Sequence, residues 1–127
     1  MTEIRSFKDL QVWQKSFLLV KELYKLTAKL PASERFGLFD QIRRAAISIP
    51  SNIAEGSKRG SRRDYAQFLR IAHGSSTELE TQLLLVKELY NIEVDNHLLT
   101  LTEIQKMLHV IIKKLTCTTT YKLQPIN

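Results

Sequence analysis

The sequence predicts an all-α protein, an antiparallel up-down-up-down four-helix bundle. Four glycines and three prolines in 127 residues leave little material for turns, so the helices must be long. Apolar residues recur at helical spacing in four stretches, and links of about three to five residues between them favour antiparallel neighbours. A chain of this length can bury one core. We therefore expect a single domain, with its core at about 7–116 and a C-terminal tail at 117–127.

The first helix is expected over about 7–29. Ser6 can cap it, with Asp9 three residues on completing a capping box, and Leu30-Pro31 ends it. Two neighbouring apolar stripes make its apolar face wider than one core-facing stripe needs. That width fits contact with another subunit or a position between two helices of one bundle. The first stripe is Leu10, Trp13, Phe17, Val20 and Tyr24, and the second is Leu19, Leu23, Leu26 and Leu30.

The second helix is expected over about 34–56, beginning at Ser33 and ending with Gly56 in the left-handed C-cap position. Pro50 lies inside its apolar pattern, where a proline costs about 3 kcal/mol. We expect a kink there, with nearby polar side chains satisfying the freed backbone groups: Ser48, Ser51 and Asn52. A small and polar stripe, if buried, would need hydrogen-bond partners on a facing helix. It consists of Gln41, Ala45, Ser48, Asn52 and Glu55.

The third helix is expected over about 62–91, with Ser61 and Asp64 forming a second capping box. Its apolar residues repeat every 3.5 residues or so from Tyr65 to Tyr90, which is typical of near-aligned helix packing. The fourth helix is expected over about 96–116, capped by Asp95. The remaining TTTYKLQPIN has weak helix propensity and a proline, so we expect a frayed tail.

Positive charge is concentrated where the second helix meets the third. The chain has a net charge of +6, and residues 35–70 supply +5 of it, with eight Arg/Lys against three Asp/Glu. Such a cluster favours a polyanionic partner, nucleic acid before membrane, although it also fits a solubilising surface. Arg62 and Arg63 occupy a helix start, where the dipole disfavours cations. The candidate nucleic-acid-binding residues are Arg43, Arg44, Lys58, Arg59, Arg62, Arg63 and Arg70.

Patterns for catalysis and metal binding are missing from the sequence. It contains no glycine-rich phosphate loop, no HExxH and no Glu-x-x-His pair, and its three histidines stand apart. A single cysteine, Cys117, permits no internal disulfide and no cysteine metal site. We expect no enzyme, no cofactor and no metal. Because the first residues lack a signal-peptide pattern and no apolar stretch could span a bilayer, we expect a cytoplasmic protein.

The segment RRAAISIPSNIAEGSKRGSRRDYAQFLRIAHGSSTELETQL, preceded by FKDLQVWQKSFLLVKELY, resembles a family of four-helix bundles. These proteins are encoded in intervening sequences of bacterial large-subunit ribosomal RNA genes, and the family includes the accessory variability proteins of diversity-generating retroelements. The resemblance runs from Phe7 to about Tyr90, and its most specific part is IPxNIAEG, from Ile49 to Gly56.

This resemblance implies a ring-shaped homopentamer. The retroelement accessory proteins bind nucleic acid and a reverse transcriptase through basic surfaces. By similarity, the contacting residues here would be Arg43, Arg44, Arg59, Arg62, Arg63 and Arg70.

Two functions are consistent with these observations. One is an accessory protein that binds nucleic acid through phosphates, indicated by the clustered arginines. The other is an oligomeric protein-interaction scaffold without nucleic-acid binding, indicated by the broad apolar faces. The aromatic residues nearest the cluster, Tyr65 and Phe68, belong to the core by periodicity, so phosphate contact is favoured over base stacking.

Overall fold

The structure, a computed structural model, describes residues 6–123, with side chains as far as Cys117. It contains four α-helices and no strand in this range. They are α1 (Gln11–Thr27), α2 (Leu38–Ser57), α3 (Arg62–Tyr90) and α4 (Asp95–Leu123). Short 3-10 turns at Phe7–Asp9 and Ala32–Glu34 precede α1 and α2. The all-α class and the four helices are confirmed.

The four helices surround one core. Each helix packs against the next one along the chain, and α1 also packs against α4. Between α2 and α3, the hydroxyls of Ser48 and Ser75 are hydrogen-bonded at 2.8 Å, while Gly56 lies beside Phe68. Because the residue number rises on α2 as it falls on α3, these two helices run in opposite directions. The end of α2 and the start of α3 therefore share one end of the bundle.

The two apolar stripes of α1 have different environments. Leu19, Leu23 and Leu26 are buried in the core, so the second predicted stripe faces the other helices. The first stripe lies on the outside, where Trp13 is half-buried and the Phe17 side chain is 47% exposed. The first stripe, which makes the apolar face so wide, therefore forms an outer surface of the bundle beside α2.

The second helix begins later than the sequence predicted. Ser33 does not start α2, which begins at Leu38 after Gly37 in a non-helical conformation. The Glu34 carboxylate accepts a hydrogen bond from the Leu38 amide at 3.1 Å, and it also accepts one from the Tyr90 hydroxyl. The link from α1 is thus longer than expected, because α2 begins only at Leu38. Glu34, which the prediction placed inside the helix, lies before it and caps it.

Gly56 is not the left-handed C-cap residue. It lies inside α2, which ends at Ser57, and no glycine of the described residues has a positive φ. A Cβ at Gly56 would lie 2.8 Å from the Phe68 Cβ and 3.0 Å from a Tyr65 ring carbon. The glycine is therefore needed for the close approach of α3. The left-handed C-cap is Asn91, at φ 52° after α3.

Pro50 is buried, and α2 is helical on both sides of it. Ser48 and Asn52 bond groups other than the Ala46 carbonyl, which the proline leaves without its helical donor. The Asn52 amide donates to the Ser48 carbonyl at 2.8 Å, and Ser48 bonds Ser75 on α3. The prediction that the polar stripe finds a partner on a facing helix is confirmed at Ser48, and the kink stays a prediction.

The fourth helix differs from the prediction at both ends. Asp95 is the first residue of the helix and not the residue before it. The Glu93 carboxylate accepts a hydrogen bond from the Asp95 amide at 2.8 Å, while the Asp95 carboxylate accepts one from Lys87 at 3.0 Å. The helix also continues to Leu123, so the frayed tail is wrong for 117–123. Its backbone meets no helix breaker before Pro125, and 124–127 lie outside the described residues. Within the described range, no helix is long and apolar enough to cross a bilayer.

Candidate nucleic-acid interface

Positive side chains from three segments lie at the end of the bundle where α2 leads into α3. Lys58 Nζ lies 5.8 Å from the centre of the Phe7 ring, next to Lys8. Arg62 Nη2 donates to the Lys114 carbonyl of α4 at 3.5 Å. We call this surface the basic end, and it comprises Lys8, Lys58, Arg59, Arg62, Arg63, Lys113 and Lys114.

The turn between α2 and α3 fixes Arg62 and Arg63 at the start of α3. The Ser61 hydroxyl accepts a hydrogen bond from the Asp64 amide at 3.1 Å, which confirms Ser61 as the predicted N-cap. Arg62 and Arg63 are the first two residues of the helix, and both side chains are exposed. The amides at a helix start carry partial positive charge. These amides add to the positive potential of the two arginines.

Acidic side chains neutralise only a small part of the basic end. Arg59 Nη2 forms an ion pair with Glu55 at 2.7 Å, and its guanidinium carbon lies 4.6 Å from the Phe68 ring centre. The Arg59 guanidinium therefore already has an acidic and an aromatic partner. None of the ion pairs within residues 6–117 involves Lys58, Arg62 or Arg63. These three side chains are exposed and can reach a polyanion without first breaking an ion pair.

Two of the predicted site residues lie away from the basic end. Arg43 is half-buried, and its Nε donates to the Thr27 hydroxyl at 2.9 Å. Its guanidinium carbon lies 3.8 Å and 4.0 Å from the ring centres of Tyr24 and Phe39. Arg43 thus joins α1 to α2. Arg44 is exposed but equally distant from the α2–α3 turn, about 20 Å along a helix that rises 1.5 Å per residue.

Arg70 extends the basic end along one side of α3. Its side chain is exposed, and Nη1 donates weakly to the side-chain oxygen Oε1 of Gln67 at 3.4 Å. Arg63, Gln67 and Arg70 lie on one helical face. Arg70 is about 12 Å from Arg62 along the axis, within reach of the same extended polyanion.

The sequence interpretation missed three cations of this surface. Lys8, Lys113 and Lys114 lie far from the α2–α3 turn in the chain, outside the range from Arg35 to Arg70. The predicted order of the helices was enough to find two of these cations. In four alternating helices, the end of the fourth lies next to the start of the third, which places Lys113 and Lys114 near Arg62.

The described residues hold no cluster of three or more His, Cys, Asp or Glu suited to a metal ion.

A hydrogen bond from Tyr90 lowers the pKa of Glu34 and raises the pKa of Tyr90. Burial lowers the pKa of His97, at the start of α4. These groups lie at the end of the bundle opposite the basic end. Close to the basic end, burial raises the pKa of Tyr65, which keeps its hydroxyl neutral.

Comparisons with known proteins identify a family for this chain and a solved structure similar to it. The family model for the 23S rRNA-intervening sequence protein matches residues 8–113. A crystal structure of a protein of unknown function from the S23 ribosomal protein family of Bacteroides thetaiotaomicron is similar, with 31% sequence identity and a TM-score of 0.72. The alignment covers 80% of this chain and 95% of that one. No curated protein matches the sequence. The chain belongs to the 23S rRNA-intervening sequence protein family.

Proposed function

We propose that this protein is a non-enzymatic accessory factor that binds nucleic acid through its phosphates, without sequence preference. The observation that carries the proposal is the basic end. The three segments that form it contain seven cations against three acids, Asp9, Glu55 and Asp64. Lys58, Arg62 and Arg63 are exposed and form no ion pair there. Clustered, unpaired cations attract a polyanion over a distance of about one Debye length.

Phosphate contact is favoured over reading of base edges. Sequence is read in a groove by side chains that a rigid element holds against the bases. The seven cations of the basic end come from three segments and not from one rigid element, and four of them are lysines, which act as point charges. Such an arrangement neutralises phosphates of any sequence.

A low-salt filter-binding titration with random-sequence DNA and RNA tests the proposal. We expect saturable binding, with affinities that differ little between unrelated sequences of equal length. A protein that forms no complex at low salt, or one that binds a single sequence far more tightly than all others, would overturn it. The first of these results would favour a protein-interaction scaffold.

We also propose that the protein is a homo-oligomer that assembles through the end opposite the basic end. Large apolar side chains are exposed there, and monomers seldom expose many of them together. Those at this end are Phe36, Leu84, Leu85, Leu89 and Leu99, which are 43% to 88% exposed. A ring of copies, five by the family resemblance, would repeat the basic end and multiply weak phosphate sites by avidity.

Sedimentation at micromolar concentration tests the assembly. We expect a mass several times the 14.7 kDa of one chain, and we expect Leu89→Glu to lower it, because a charge would be buried at the contact. A wild-type protein that sediments as a monomer contradicts the assembly and leaves the phosphate site in place.

A further inference from the structure

A row of aromatic side chains leads away from the basic end along the outside of α1. The Phe7 and Trp13 rings meet edge to face at 5.2 Å between centres. Trp13 and Phe17 are stacked at 4.8 Å, with 26° between their planes. The Phe17 side chain is 47% exposed. The row starts under Lys58, whose Nζ lies 5.8 Å from the Phe7 ring centre. Phe17, the far member of the row, is thus about half exposed to solvent.

This row borders a groove of about 350 Å³ between α1 and α2, lined on the α2 side by Ile47 and Pro50. Lys21 is the one charged residue of the lining, and the lining holds no acid. At its far end the Arg43 guanidinium lies against Tyr24. The groove is therefore aromatic and apolar within and positively charged along its edge.

We propose that this groove takes the bases of a single-stranded nucleic acid, with Phe17 as the stacking platform. The inference rests on the proposed function, because the basic end would hold the phosphates of the same strand. Bases of a duplex are already stacked on one another, whereas those of a single strand are free to stack on an aromatic ring beside a positive groove. The groove would therefore give the protein a preference for single strands over duplexes.

Charge favours this occupant over a second copy of the chain. Lys58 and Lys21 lie along the row and the groove, and each copy carries a net charge of +6. A strand of nucleic acid brings phosphates to these cations, while a second copy brings further positive charge. Exposed leucines at the opposite end, such as Leu89, offer a second copy an apolar contact elsewhere.

The protein contains one tryptophan, so the fluorescence of Trp13 reports directly on the groove. We expect oligothymidine and oligoadenosine single strands to quench it, and a duplex of the same length to quench it much less. Phe17→Ala should reduce affinity for the single strands by about 5- to 150-fold, which is the effect of losing one base–aromatic stack. Its affinity for the duplex should stay unchanged.

Two further variants separate stacking from a general loss of structure. Phe17→Leu keeps apolar bulk but removes the ring, and we expect it to lose single-strand affinity as Phe17→Ala does. Leu18→Ala truncates another exposed apolar side chain, on the side of α1 that lies beside α4 and away from the groove, and we expect wild-type binding.

Two results would overturn the groove assignment. One is equal single-strand affinity for wild type and Phe17→Ala. The other is a change of Trp13 fluorescence with protein concentration alone, because it would make a second copy the occupant. A wild type that binds neither duplex nor single strands would instead contradict the proposed function. The two failures can thus be told apart.

Discussion

Replacing Arg62 and Arg63 by glutamate is expected to reduce the affinity for random-sequence nucleic acid by about 100- to 1,000-fold at low salt. The double substitution changes the charge of the basic end by four units. Two unit charges 4 Å apart in water interact by about 1 kcal/mol, and each 1.4 kcal/mol is tenfold in affinity. Filter binding at fixed salt measures the loss, which should be the same for every sequence.

The fold should survive this substitution. Both positions are exposed at the start of α3, where acidic residues complement the helix dipole by about 0.3–1 kcal/mol each. A control with the same change of charge is available at the other end of the bundle, where Lys29 and Arg35 are exposed. Replacing that pair by glutamate should weaken binding far less. Because this pair lies at the proposed assembly end, sedimentation must first show that the control variant still assembles. Equal losses for the two double variants, with assembly intact, would mean that net charge alone governs binding.

Gly56→Ala is expected to destabilise the protein, although alanine is the better helix former. The new Cβ would lie 2.8 Å from the Phe68 Cβ and 3.2 Å from the Tyr65 carbonyl oxygen. Neither atom is the free end of a flexible side chain, so α2 and α3 must move apart. Such overpacking costs about 1–3 kcal/mol, partly offset by a helix propensity gain of about 1 kcal/mol.

Gly74→Ala is the matched control. Gly74 lies inside α3, and no atom is within 4 Å of a Cβ built there, so we expect a gain of about 1 kcal/mol in the free energy of unfolding. Propensity cancels between the two variants, and their difference measures the steric cost at Gly56. Urea unfolding measures both free energies. Equal stabilities would show that α2 and α3 do not meet closely at Gly56.

Helical periodicity predicted the fold class because it records burial directly. In α3, Leu69, Leu79 and Leu83 belong to the predicted seam, and all three are fully buried. Ser61 was also predictable, since a hydroxyl before a helical pattern has one obvious role as an N-cap. These features depend on residues close together in the chain.

Two features that depend on distant parts of the chain were predicted wrongly. Gly56 has the sequence context of a C-cap, and only the neighbouring α3 explains why a glycine is needed inside the helix. The cap of α2 is the Glu34 side chain, which Tyr90 of α3 also contacts. Local patterns do not contain these tertiary contacts, so the boundaries of α2 were misplaced.

The candidate site was predicted in part for the same reason. Lys58, Arg62 and Arg63 are close in the chain and lie together in space. Arg43 was grouped with them by composition, yet it is held between Tyr24 and Phe39, because stacking and hydrogen bonds to α1 take up its guanidinium. Charge along a sequence does not show which cations already have partners.

The central claim is that exposed cations from three segments contact phosphates together, and the salt dependence of binding tests it most directly. For wild type, log K should fall linearly with log[salt], by about 0.9 per duplex phosphate contacted and about 0.7 on single strands. Replacing Lys113 and Lys114 of α4 by glutamine should make the duplex slope shallower by about 1.8, which corresponds to two lost contacts. A slope unchanged by that double substitution, or wild-type binding insensitive to salt, would contradict the claim.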